Sequence, residues 1–85
     1  MTLPRETIRV RAEIMAAMPD DWHTALEISR LTYGRAVEDG TEKAVRHQLM
    51  RMADEGLVER ERLEHAYGGW TYYFKKSPSK LHNEV

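Results

Sequence analysis

The stretch Ala44-Val45-Arg46-His47-Gln48-Leu49-Met50-Arg51-Met52-Ala53-Asp54-Glu55-Gly56-Leu57-Val58-Glu59-Arg60 organises the reading of this chain. Val45, Leu49 and Met52 recur at i, i+4 and i+7, the spacing of one buried helical stripe, with Ala53 beside it. Thr41 is placed to cap that helix, expected over Glu42 to Glu55, and Gly56 to close it. Lys43, His47, Met50 and Arg51 are expected on the opposite face, with Arg46 on one flank. That face is basic and mixed, unlike the balanced charge elsewhere.

After Gly56 the period changes. Leu57-Val58-Glu59-Arg60-Glu61-Arg62-Leu63 reads as an extended segment, Tyr67-Gly68-Gly69 as turn chemistry, and Trp70-Thr71-Tyr72-Tyr73-Phe74 as a strand. Together they predict a β-hairpin with a loop of several residues. From Lys75 onward periodicity is lost, and residues 77–85 are expected to form a flexible tail.

Upstream, two more helices are expected. Arg5 to Met18 has no breaker; Thr2 is a candidate cap, and Pro4 sits in the first turn, where its missing N–H is harmless. Ile8, Ala12, Ile14, Met15 and Met18 make its apolar stripe, and Arg11, which lies inside that stripe, is expected to snorkel. Pro19 with Asp20 and Asp21 ends the helix. Thr24 and Glu27 have the spacing of a capping box at the start of a shorter helix. Ala25, Ile28, Leu31 and Thr32 share its inner side, and Gly34 is placed to end it in a left-handed conformation. Trp22-His23 can form a short extended piece that pairs elsewhere. Residues 35–40 read as a loop with turn chemistry at Glu38, Asp39 and Gly40.

Composition narrows the function classes. Eighty-five residues leave room for one small domain. Thirteen Lys+Arg against fourteen Asp+Glu give a formal charge of −1, so any charged partner is met by a local patch. The absence of cysteine excludes disulfide scaffolds, Cys-ligated zinc and iron–sulfur chemistry. No apolar run approaches the roughly 20 residues that span a bilayer. No secretory signal is visible, and a cytoplasmic location is expected. The four histidines, His23, His47, His65 and His82, lack metal-ligand spacing, so no metal or cofactor is expected. Ser29, Ser77 and Ser79 have no nucleophile-elbow context, and no Gly-rich phosphate loop occurs. Asp20-Asp21 reads as helix-flanking charge. Nothing points to catalysis.

The order helix, helix, helix, hairpin resembles the winged helix-turn-helix DNA-binding family, as found in small transcriptional regulators of bacterial or phage type. Thr24 to Gly34 is similar to the first helix and turn of a helix-turn-helix. Ala44 to Arg60 is similar to a recognition helix running into the first wing strand, and Trp70 to Phe74 to the returning strand. The pattern Val-x3-Leu-x2-Met-x3-Gly-Leu-Val is met by Val45, Leu49, Met52, Gly56, Leu57 and Val58. The resemblance implies an α+β fold, three helices followed by a two-stranded wing over residues 1–76. It also implies sequence-specific binding of double-stranded DNA, with the third helix in the major groove. Lys43, Arg46, His47, Met50 and Arg51 would then face bases or phosphates, and Arg60, Arg62, His65 and Tyr67 would serve the wing. A homodimer on a palindromic site is the natural arrangement, since two-fold symmetry doubles the contacts.

Other features favour blander or different readings. The connection from Leu31 to Glu42 is longer than the tight turn of typical bacterial regulators, and it carries Glu38 and Asp39. With the alternating Glu59-Arg60-Glu61-Arg62 and the near-zero charge, it supports a winged helix used as a protein-interaction adaptor. Each basic residue taken alone is equally consistent with a solvated face or an i,i+4 ion pair, such as Arg51 with Glu55. The aromatic run Trp70, Tyr72, Tyr73 and Phe74 is expected to pack rather than to stack on single strands.

Overall fold

A computed structural model describes residues 3–77. The expected tail, apart from Ser77, and the candidate cap Thr2 lie outside these residues. Within them the chain forms three helices and three strands. In order these are α1 (Arg5–Ala17), β1 (His23–Thr24), α2 (Ala25–Tyr33), α3 (Asp39–Asp54), β2 (Val58–Glu64) and β3 (Trp70–Lys76). The strands make one antiparallel sheet in the order β1-β3-β2. It is a small α+β fold.

Two helix boundaries follow local chemistry that the sequence displays. Thr24 and Glu27 form the reciprocal capping box: the Glu27 N–H donates to Thr24 Oγ1 at 3.2 Å, and the Thr24 N–H to Glu27 Oε1 at 2.9 Å. At the far end of α3, Gly56 adopts φ +82, a backbone that L side chains resist. The Leu57 N–H then reaches the Met52 carbonyl at 2.8 Å, and the Gly56 N–H reaches Ala53 at 3.1 Å. This pair of bonds is a Schellman motif, and it turns the chain directly into β2.

Other boundaries differ from expectation. α3 begins at Asp39, three residues before the expected start, and its N-cap is Glu38 rather than Thr41. The first turn closes through Glu42 N–H to Glu38 carbonyl at 2.9 Å, and Asp39 and Glu42 complement the positive end of the helix dipole. The α2–α3 connection is therefore short, residues 34–38. Gly34 does take positive φ (+101), but its ψ of 169° is extended rather than left-handed helical. Pro4 caps α1 instead of lying inside it, and α1 ends at Ala17.

Ile14, Ile28, Val45, Leu49, Met52, Val58 and Phe74 are buried where the three helices meet the sheet, and Met18 and Ala25 complete the core. Three expected core residues, Leu31, Ile8 and Ala12, lie outside it. Leu31 is 55 % exposed and Ile8 51 %. On α2 the inner stripe is Ala25, Ile28, Ser29 and Thr32, an i, i+3, i+4, i+7 set that leaves Leu31 to one side. Ser29 is tolerated there because its hydroxyl donates to the Ala25 carbonyl at 2.7 Å. On α1 the inner stripe is centred on Ile14 and Met18 with Val10 beside them, so Ile8 and Ala12 turn outward.

Arg11 does not snorkel to solvent. It is 9 % exposed, and its guanidinium donates to both carboxylate oxygens of Glu55, at 2.9 and 2.8 Å, and through Nε to Gln48 at 3.0 Å. The middle of α1 is thereby clamped to the C-terminal cap of α3 by a bidentate pair. Glu55 is consequently unavailable to Arg51, and the i,i+4 pair expected between them is replaced.

The hairpin is longer than predicted and is joined by a third strand. The short extended piece expected at Trp22-His23 to pair elsewhere is found as β1, one residue later, which pairs His23 with Phe74 and Thr24 with Tyr73. The wing expected as two strands is therefore part of a three-stranded sheet. Its base is anchored again by the Lys76 N–H, which donates to the Pro19 carbonyl at 3.0 Å.

Candidate nucleic-acid interface

Burial of Val45, Leu49 and Met52 determines which face of α3 reaches solvent. Lys43, His47 and Arg51, spaced i, i+4 and i+8, form one exposed row opposite the core. Neither Lys43 nor Arg51 has a carboxylate within ion-pair distance among the described residues. Arg46 lies on the flank toward the sheet and meets Glu42 at 3.4 Å. Met50 departs from expectation: it is half-buried against the core and does not project freely. Its carbonyl and Sδ lie 3.5 and 3.9 Å from Arg60 Nη1, so it links α3 to the hairpin.

Strand register sorts the alternating charges of β2. Arg60 stands opposite Phe74, Arg62 opposite Tyr72, and Glu64 opposite Trp70. Directly opposed residues share a face, so both arginines lie on the side of the sheet that carries buried Val58 and Phe74. Glu59, Glu61 and Leu63 fall on the other side with Lys75, Tyr73 and Thr71. Arg60 and Arg62 thus share one face of β2 with Glu64 at its end, and Glu59 and Glu61 share the other.

Aromatic rings hold those arginines. The Arg60 guanidinium lies 5.7 Å from the Tyr72 ring centroid, and that of Arg62 5.3 Å from Trp70. The Tyr72 and Phe74 rings meet at 6.5 Å, which ties this ladder to the core. Arg60 also meets Asp54 at 3.1 Å, and Arg62 approaches Glu64 at 3.9 Å. A groove of about 460 Å³ separates the ladder from α3. Its walls include Arg46 on one side, Trp70 and Tyr72 on the other, and Leu26 at the start of α2.

The remaining hairpin residues expected to serve a wing part company. His65 lies on the Glu59 and Glu61 side of the hairpin, with Nε2 2.6 Å from Thr71 Oγ1, and its backbone closes the turn with Gly68 and Gly69. It serves the loop geometry. Tyr67 stands at the tip, fully exposed. Glu38 and Asp39 are exposed at the start of α3, as a charge of opposite sign at one end of the row.

The site therefore gathers Lys43, Arg46, His47, Arg51, Arg60 and Arg62 along α3 and the facing side of the hairpin. Trp70 and Tyr72, expected from the sequence to pack rather than to stack on single strands, are the side chains whose rings meet Arg62 and Arg60. Period-2 alternation in both strands was the available signal, but it needed the loop length to set the register. Among the described residues no group of His, Asp or Glu is arranged to hold a metal. Nor is any helix there long and apolar enough to cross a membrane. No known family model matches the chain, and no curated protein matches it in sequence.

Proposed function

We propose that this chain is a winged helix-turn-helix domain that binds double-stranded DNA sequence-specifically, as a small cytoplasmic transcriptional regulator. α3 is the recognition helix and the β2–β3 hairpin the wing. The observation that carries this reading is the row Lys43, His47 and Arg51, without an ion-pair partner among the described residues, beside a hairpin face on which Arg60 and Arg62 are pre-oriented. With 16 residues, α3 is about 24 Å long, ample for a major groove about 12 Å wide. Lys43, His47 and Arg51 project into that groove, where a bidentate arginine–guanine contact contributes about 1–3 kcal/mol of discrimination. The wing arginines meet backbone phosphates and set the register of the domain on the duplex. Two copies on a palindromic site would supply the affinity that one module with near-zero net charge lacks. The role is that of a binding module rather than an enzyme.

The first test is fluorescence anisotropy with random-sequence duplex DNA at about 50 and 200 mM salt. Four cations placed against the duplex, Lys43, Arg51, Arg60 and Arg62, predict a fall in affinity on the order of 10²-fold between those conditions. Absence of binding at the lower salt would overturn the DNA reading. It would favour the use of the same fold as a protein adaptor, for which the acids Glu38, Asp39 and Asp54 around α3 are the supporting feature.

A further inference from the structure

The flank of α3 away from the hairpin borders a second concavity, of about 690 Å³, between α1, α3 and the 34–38 connection. Its floor is apolar, from Val10, Val37, Ala44 and Val45. The aromatic wall is Tyr33, 40 % exposed, whose hydroxyl donates to Glu13 Oε1 at 2.7 Å. Burial and that acceptor push the Tyr33 phenol up to about 12, so it remains a neutral donor. Three carboxylates line the cavity against one guanidinium, and Arg9 is already paired with Glu6. The second oxygen of Glu13 and the whole carboxylate of Glu38 have no partner among the described residues.

We infer that this cavity binds a small organic cation bearing an apolar group. The volume lies in the range of small-molecule sites. A cationic head between Glu13 and Glu38 is opposite in sign to the rim and can lie against the Tyr33 ring, whereas an anion meets uncompensated repulsion. The apolar part lies on Val10, Val37 and Ala44. The α2–α3 connection supplies two of these elements, Val37 and Glu38, and contributes no cation to the α3–hairpin surface. The inference is independent of DNA binding and stands or falls on its own test.

The test uses the full chain and 2-phenylethylammonium as probe, with 2-phenylethanol and 3-phenylpropanoate as neutral and anionic controls, followed by NMR. Saturable shifts confined to Val10, Val37, Ala44 and Tyr33 are expected, with a dissociation constant of about 1–5 mM for a ligand of this size. Glu13→Gln with Glu38→Gln is expected to weaken binding about tenfold or more, the loss of two charge-assisted contacts. Glu38→Gln alone, at an exposed cap that makes no side-chain hydrogen bond, keeps the test open should the double variant not fold. It is expected to weaken binding about threefold. No saturation by about 20 mM probe, equal shifts with the alcohol, or unchanged affinity in a folded variant would each overturn the inference.

Discussion

Arg11 and Glu55, forty-four positions apart, form a two-pronged ion pair in which Nη1 and Nη2 each donate to one carboxylate oxygen, at 2.9 and 2.8 Å. The pair joins the middle of α1 to the C-terminal cap of α3. It ties α1 to the exit of α3, where the chain turns into β2.

Acid should weaken that clamp. Hydrogen bonds from Arg11 hold the Glu55 carboxyl below its ordinary value of 4.5. A carboxyl lowered in the folded state adds stability above its unfolded value, and that stability is lost as pH falls through the folded one. Glu55→Gln is therefore expected to melt a few degrees below the parent protein at pH 7, with the gap closing as pH drops below about 4.5. Melting temperatures of both proteins from pH 7 to pH 3 check this; a gap independent of pH would contradict it.

Leu49 is fully buried at the centre of the α3 stripe, between Val45 and Met52. Leu49→Ala should cost roughly 2–5 kcal/mol, the removed transfer free energy plus the cavity left behind. Urea denaturation is the measurement. A loss below about 0.5 kcal/mol would mean that α3 does not dock through this face.

For DNA, the exposed row on α3 predicts a separation of binding from stability. Lys43→Ala with Arg51→Ala removes two charges that have no ion-pair partner among the described residues. Random-duplex affinity should fall about tenfold or more, and the salt slope by roughly two, with a nearly unchanged melting temperature. Unaltered binding by that variant would remove α3 from the interface.

The pleat makes a sharper prediction for two adjacent residues of the hairpin. Arg62 and Glu61 are both exposed, but they lie on opposite faces of β2. Arg62→Ala should weaken DNA binding several-fold and reduce the salt slope by about one. Glu61→Ala should leave affinity within about twofold, because its charge points away from the duplex. Equal and opposite effects would show that the hairpin acts through net charge rather than through one face.

Much of the framework was legible in the residues themselves. The Val45–Leu49–Met52 stripe, the Gly56 exit and the Thr24–Glu27 box depend on contacts within one or two turns, and each is found where expected. The start of α3 was not legible. Several polar residues between Glu38 and Glu42 can begin a helix, and the earlier start at Asp39 came from a backbone bond to Glu38 rather than from a hydroxyl cap. Leu31 and Ile8 were misplaced for a related reason. A short helix with apolar residues over a wide arc does not say which part of the arc meets its neighbours. Met50 was assigned to the free face because its half-burial comes from packing against the core cluster, which the period of one helix does not display.

By itself, then, the sequence determined the order of elements, the buried stripe of α3 and the turn into the hairpin, all governed by hydrogen bonds and side-chain periods of a few residues. Only the tertiary structure decided the partner of Arg11, the pairing of β1 with β3 and the face on which Arg60 and Arg62 stand. The physical reason is range. An ion pair across forty-four residues, a register set by a loop and a cavity walled by three segments exist only once distant parts of the chain have packed together.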